Sequence, residues 1–212
     1  MKLSDDVIKL DCTKGSYAYA IIHDGITLID SSISGRGESI LKELKAYGIM
    51  PSDVKRILVT HHDIDHIGNV EYLVSKCNCD TYISEADLPY ALGVKKREGV
   101  KKVLGTFMKA TVPHEVKTFD TEIIAGIEII PAAGHTRGHT CFRFNNIFFA
   151  GDLISSKNGK IVLPPKIMTW DMKKNIDFCK ALNLRDTRWI CIAHGEPVCD
   201  DDSWDLFTQS LI

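Results

Sequence analysis

THHDIDHIG, residues 60–68, sets three histidines and two aspartates within nine positions, directly after the apolar run Ile57-Leu58-Val59. Imidazoles and carboxylates crowded this closely repel one another or lose hydration unless a positive charge sits among them. His61 and Asp63 are two apart on an extended segment and so point the same way, whereas His62 points to the opposite side. The apolar run reads as a buried strand over Arg56 to Thr60 that delivers the cluster at its end. Val70, Leu73 and Val74 then predict a helix.

Three more polar residues occupy the same kind of position downstream. His135 lies in AAGHTRGHT, after a strand ending at Ile130; Asp152 lies in FFAGDLI; His194 lies in CIAHGEP, after a last strand over Trp189 to Ala193. Gly134, Gly151 and Gly195 adjoin them, and Gly68 follows His66 by two. Glycine lets the backbone turn sharply or come close to a bound group. Several strands therefore each deliver one polar side chain, and seven such groups in one place require a counter-charge. Histidine with aspartate is the donor set of zinc, iron, manganese or cobalt, and not of a thiolate site.

The rest of the chain fits this picture. Short β-rich runs at Val7 to Leu10, Tyr17 to Ile22 and Ile26 to Ile29 are separated by the turn signals Lys14-Gly15 and Asp24-Gly25. A helix is expected over Glu38 to Tyr47. Strands resume at Ile127 to Ile130, Cys141 to Phe144 and Ile147 to Phe149, with a helix over Met172 to Leu182. Strands alternating with helices mark a layered α/β fold. At 212 residues the chain suits one domain, residues 1–212, and it carries no repeat or linker that divides it.

Residues 85–117 interrupt the alternation as a helical insertion. Val100, Val103, Leu104, Phe107 and Met108 repeat at helical spacing beside Lys95, Lys96, Arg97, Lys101, Lys102 and Lys109. One reading is a surface helix with a solvated basic face. The other is a lid that turns Phe107 or Met108 toward substrate and uses its lysines to draw in an anion.

Composition narrows the partners. A formal charge of -2 argues against nucleic acid, which calls for a basic surface. No run approaches the roughly 20 apolar residues of a membrane span. Aspartates at 5 and 6 stand where a signal peptide would be apolar. Seven irregularly spaced cysteines suit a reducing compartment, so the chain is expected in the cytoplasm. The expected partner is a small-molecule substrate; the oligomeric state, a dimer included, is left open.

Taken together, the cluster and its downstream partners resemble the His-x-His-x-Asp-His signature and later ligand positions of the metallo-β-lactamase fold superfamily, in order and over essentially the whole chain. The resemblance implies a four-layer αββα sandwich with the site along one edge. It also implies two divalent metal ions, zinc first and iron or manganese as alternatives. His61, Asp63 and His135 would hold one, Asp65, His66 and His194 the other, and Asp152 would bridge. His139 would support the site without binding metal. Asp65 would be catalytic, orienting a shared hydroxide and moving its proton. The implied activity is hydrolysis of a small thioester, lactone or other ester. Asp63 departs from the family pattern, which has histidine there. Flavodiiron proteins of the same superfamily carry glutamate at that place, so a diiron redox protein with a separate electron donor is the second reading. A third carboxylate in the shell is expected to make the site less positive, acidify bound water less and favour harder metals.

Overall fold

The β-rich runs of the first 120 residues become a six-stranded sheet in which the antiparallel start gives way to a parallel end. The computed structural model describes residues 1–97, 99–101, 110, 112–199 and 202–211, divided into two units, Met1–Asp120 and Thr121–Ile212. The first sheet comprises β1 (Val7–Lys9), β2 (Tyr19–Ile22), β3 (Ile26–Ile29), β4 (Val54–Leu58), β5 (Asp80–Ile83) and β6 (Lys117–Thr118), hydrogen-bonded in that order. β1, β2 and β3 are antiparallel, and β3, β4, β5 and β6 run parallel.

Parallel neighbours require crossovers, which explains the helices between them. α1 (Gly37–Ala46) joins β3 to β4, and α2 (Ile64–Ile67) with α3 (Val70–Cys77) joins β4 to β5. α1 buries Ile40 and Leu44, and α3 buries Val70 and Leu73. Both helices enter a core with Leu28, Ile57 and Val59. Each such side chain contributes about 1.5–3 kcal/mol by leaving water. α3 ends where Asn78 turns left-handed at φ 52, a conformation that asparagine tolerates.

In the second unit the sheet order is β14-β13-β10-β9-β8-β7. The strands are β7 (Ile123–Ile124), β8 (Ile127–Pro131), β9 (Thr140–Phe144), β10 (Ile147–Phe149), β13 (Trp189–Cys191) and β14 (Val198–Cys199). A separate hairpin pairs β11 (Ser155–Lys157) with β12 (Lys160–Val162). β8, β9 and β10 alternate in direction, so β8 and β10 are parallel to each other, and β13 is parallel to β10. The carboxyl ends of β8, β10 and β13 therefore lie on one edge of this sheet. Fully buried Phe148, Cys141 and Ile190 form its core, with Cys179 from α5 (Met172–Ala181) and Phe207 from α6 (Ser203–Gln209).

The sequence expectations of strands at 7–10, 26–29, 127–130, 141–144 and 147–149 and of helices at 38–47 and 172–182 fall on observed elements within two residues at either end. The strand expected over 56–60 starts and ends two residues earlier, at 54 and 58. The missed strands β5, β6, β7, β11, β12 and β14 are two to four residues long, too short for periodicity to declare itself. The insertion is described only in part. It opens with α4 (Leu88–Ala91) and closes with Ala110 and Val112 in the first unit's core. Phe107 and Met108, and with them the lid question, lie outside the described residues.

Candidate functional site

Groups gather where parallel strands end, because there the chain leaves the ladder with its side chains free to converge. Asp30 follows β3, Thr60 to His66 follow β4, and Asp87 comes four residues after β5. The ladder itself runs one step further: Asp30 N–H donates to Leu58 O, and Val59 N–H to Tyr82 O. This fixes Asp30 beside Thr60. Asp30 is 3% exposed, and its carboxylate accepts from Thr60 N–H at 2.8 Å, Thr60 Oγ at 2.7 Å and His66 Nδ1 at 2.7 Å.

Those bonds set the imidazoles. With Nδ1–H given to Asp30, His66 keeps the lone pair on Nε2, which lies 3.9 Å from Asp65 Oδ2. Thr60 Oγ, having donated to Asp30, accepts from His61 Nδ1 at 3.0 Å. His61 Nε2 is therefore also the lone-pair nitrogen, 3.3 Å from Asp63 Oδ2. One buried carboxylate thus selects the tautomer of two histidines.

The segment is clamped from below. Ser31 N–H and Ser31 Oγ both donate to His66 O. Asn69, 3% exposed, donates to Ser31 O and Ile33 O at 2.6 Å and accepts from Arg36 and Gly37 N–H at 2.9 Å, capping α1. A Cβ on Gly68 would collide with the backbone of Ser32, Ile33 and Ser34, so this glycine serves close approach and not an unusual φ.

In the second unit, His135 follows β8, Asp152 follows β10 and His194 follows β13, all on the shared edge. Thr169 Oγ donates to Pro165 O and lies 3.5 Å from His135 Nδ1, leaving Nε2 toward Asp152 Oδ2 at 3.4 Å. His194 Nε2 is also 3.4 Å from Asp152 Oδ2. His139 Nε2 accepts from Asp152 N–H at 3.1 Å, so this ring positions the aspartate through its backbone. Gly195, at φ 120, turns the chain after His194, and its Cβ would meet Ser156.

The donor set suits a metal. His61, His66 and His135 each have Nδ1 facing an oxygen and Nε2 facing a carboxylate, the arrangement in which ligating imidazoles are oriented by a carboxylate or hydroxyl behind them. Within the first unit the ligand atoms of His61 and Asp63 lie within 4.8 Å of each other, as do those of Asp65 and His66; within the second, so do those of His135 and Asp152.

A family model, the metallo-beta-lactamase superfamily, matches residues 13–194. The chain belongs to this superfamily. Its fold is the mixed α/β metallo-beta-lactamase fold, and it carries the superfamily's His/Asp metal-binding cluster, implying divalent metal. A probable metallo-hydrolase of Methanocaldococcus jannaschii is 31% identical over 144 residues, 66% of this chain and 67% of that one. A hydroxyacylglutathione hydrolase of Buchnera aphidicola is 25% identical over 183 residues, 85% of this chain, which spans 62% of that enzyme's length. Among solved structures, a metallo-beta-lactamase family protein of Thermus thermophilus superposes at a TM-score of 0.73 with 20% identity, over 99% of this chain and 80% of that one. TTHA1623, whose crystal structure is of a di-iron-bound form, superposes at 0.69 with 22% identity, over 87% and 89% of the two chains.

The superfamily member departs from expectation at position 63. The extra carboxylate was expected to leave its surroundings less positive, but Lys101 Nζ lies 2.5 Å from Asp63 Oδ2, both side chains nearly buried. Arg97 adds a second cation, donating through Nε and Nη2 to His62 O. Burial pulls the Arg97 guanidinium below its usual range, while Asp63, Asp65 and Asp87 pull it back up. Of the basic stretch, Arg97 and Lys101 are the members that reach this cluster, Arg97 through His62 O and Lys101 through Asp63. His62 turns aside as strand alternation predicts, stacking on Tyr90 at 4.6 Å with Nδ1 2.9 Å from Asp87 Oδ2, though its Nε2 stays 3.7 Å from Asp63 Oδ1. Asp30, Asp87 and Lys101 went unread as site residues. Asp30 had a signal: it ends a β-rich run that enters a Ser-rich turn.

Proposed function

We propose that the chain is a metal-dependent hydrolase of a small thioester, lactone or other ester. The observation that carries this reading is the repeated Nδ1-held, Nε2-outward imidazole at His61, His66 and His135. The superfamily membership supports two divalent ions, zinc first. His61, Asp63 and His135 would hold one, Asp65, His66 and His194 the other, with Asp152 the remaining ligand of the set. The family model supports treating 1–212 as one functional domain, because it runs through every one of these positions. The relatives named as hydroxyacylglutathione hydrolases support a thioester, since an acyl group on glutathione is carried on sulfur.

When bound, the ions supply Lewis acidity to the scissile carbonyl and lower the pKa of water toward neutrality. The chain's own residues do the rest. Asp65, the more accessible carboxylate of the cluster at 26% side-chain exposure, orients the attacking water and takes up its proton. Ser16 Oγ holds the Asp65 backbone carbonyl at 2.6 Å. Asp30 keeps His66 and, through Thr60, His61 in the tautomer that leaves Nε2 a donor of electrons. The substrate is a small molecule, with no call on nucleic acid or membrane; among the described residues no helix is long and apolar enough to cross one. Seven cysteines with no disulfide among the described residues support a cytoplasmic setting.

The test is turnover by the zinc-, manganese- and iron-loaded protein of hydroxyacyl thioesters of glutathione, other acyl thioesters, lactones and phosphodiesters. Thioester or lactone hydrolysis abolished by Asp65→Asn is the expected result. No hydrolysis of any ester, with reduction of oxygen or nitric oxide by the iron form when given an electron donor, would establish the diiron reading that Asp63 and the di-iron neighbour motivate.

A further inference from the structure

Asp63 stands where the superfamily pattern has a neutral imidazole, and the chain answers with a cation of its own. Asp63 Oδ2 faces two groups at once, Lys101 Nζ at 2.5 Å and His61 Nε2 at 3.3 Å. Lys101 is 9% exposed, and its side chain and that of Asp63 are 11% and 7% exposed. A buried ammonium persists only beside a partner that neutralises it, because desolvation of an isolated charge is prohibitive. The pair is thus a built feature and not a surface lysine resting on a convenient carboxylate.

Its position creates a conflict. A divalent ion shared by His61 Nε2 and Asp63 Oδ2 would lie about 2.1 Å from that oxygen. With Lys101 Nζ 2.5 Å from the same oxygen, the two cations would be no more than about 4.6 Å apart. At that range a monovalent and a divalent charge repel strongly, and one carboxylate oxygen divides its lone pairs between them. The Asp65–His66 pair is held differently: His66 Nε2 faces Asp65 Oδ2, and Nδ1 is fixed by the Asp30 carboxylate, an anion behind the ring.

Taking the ligand assignment above as its basis, we propose that Lys101 is the resident counter-cation of Asp63 and a determinant of metal loading. It makes the position of His61 and Asp63 the weak one, so that the protein keeps one ion tightly at the position of Asp65 and His66. It takes the second only when free metal is high. Lys101 also completes the charge of the cluster when that second ion is absent, which gives the Asp63 substitution a physical counterpart elsewhere in the chain.

The experiment is equilibrium dialysis of the chelator-stripped full chain against buffered free zinc, and separately manganese, with bound metal measured by mass spectrometry. Wild type is expected to load in two steps at least about tenfold apart. Lys101→Met, which keeps length and removes charge, is expected to tighten the weaker step about tenfold or more while leaving the tighter one within about twofold. If circular dichroism shows that this variant does not fold, Asp63→His with Lys101→Met removes both members of the buried pair; it should load both ions in one merged step. Two equal tight steps in wild type, or a weaker step unmoved or loosened by either variant, overturns the proposal while leaving the hydrolase reading intact. Wild type that binds no metal overturns both, and absence of ester turnover by a protein loading as described overturns only the hydrolase reading.

Discussion

Replacing Asp30 separates its work for the fold from its work for the metal. The carboxylate is 3% exposed and receives three hydrogen bonds of 2.7–2.8 Å. Bonds to a charged acceptor contribute about 1.5–3 kcal/mol each, but they are not additive here. Thr60 Oγ retains His61 Nδ1, and removing the carboxylate also returns its own desolvation penalty. What remains is a buried Thr60 N–H and a buried His66 Nδ1–H that have lost their carboxylate acceptor. Asp30 is also left-handed at φ 59, a conformation that costs alanine about 1–2 kcal/mol. Asp30→Ala should therefore lose about 3–5 kcal/mol of unfolding free energy in the metal-free protein, read by far-ultraviolet circular dichroism in urea. Asp30→Asn should differ in kind. Asparagine tolerates the backbone and keeps one acceptor for Thr60 N–H, so stability should fall by only about 1–2 kcal/mol. Its amide, however, presents a donor to His66 Nδ1, which then holds a lone pair and moves the proton to Nε2. Metal affinity should drop about 10–100-fold, as when an oriented imidazole loses its partner. Nitrogen chemical shifts of His66 would report the tautomer directly. Asp30→Asn that binds metal like wild type with His66 still protonated on Nδ1 would refute the reasoning.

Other perturbations test neighbouring links. Asp152→Ala should remove at least one ion by elemental analysis and most ester turnover, since both His135 and His194 face its Oδ2. Asp63→His alone should destabilise the fold by about 3–5 kcal/mol, seen as a lower urea midpoint, because it leaves the Lys101 ammonium buried without its carboxylate. Gly68→Ala should cost about 2–3 kcal/mol in thermal unfolding, its methyl meeting backbone that cannot move aside. Iodoacetamide at pH 8 should modify native protein first at exposed Cys199. Burial holds the Cys141 thiol well above its usual range and pushes that of Cys179 up to about 12, so both stay thiols and should resist until unfolding, as peptide mass analysis would show. Loaded with metal at 100 times its dissociation constant, the protein should gain about 2.7 kcal/mol over the chelated form, a gain that vanishes if metal binds elsewhere in the unfolded chain equally well.

The order of elements was legible wherever burial imposes a period. Ile40, Leu41 and Leu44 declare α1, and the run into His61 declares β4, because each face repeats often enough to be counted. β6, β7 and β14, at two residues each, carry no period at all; their pairing comes from neighbours that are distant in sequence. The family's own ligand spacing singled out His61, Asp65, His66, His135, Asp152 and His194 as candidates, because strand ends place chemistry at fixed points along the chain. His139 was foreseen as a helper, and the structure gives the means, its Nε2 accepting from Asp152 N–H.

What the sequence withheld is the set of residues that act on the cluster from outside it. Asp30 is 36 positions from His66 and becomes its neighbour only because β3 and β4 are parallel, with Ile29 opposite Leu58. Its one local signal, a β-rich run that ends on it before Ser31-Ser32, does not say which side chains it will meet. Lys101 was harder still. It sits among other basic residues, and a helical repeat of lysines says which face is polar without saying that one member of that face is buried against Asp63. Charge counted along the chain therefore left out the cation that offsets Asp63. The added carboxylate was taken as a surplus negative charge on the metal shell, whereas in the fold it is half of a neutral pair. A substitution in a charged cluster has to be read together with the groups that reach it in three dimensions. At this site the aspartate and the lysine have to be read as one pair.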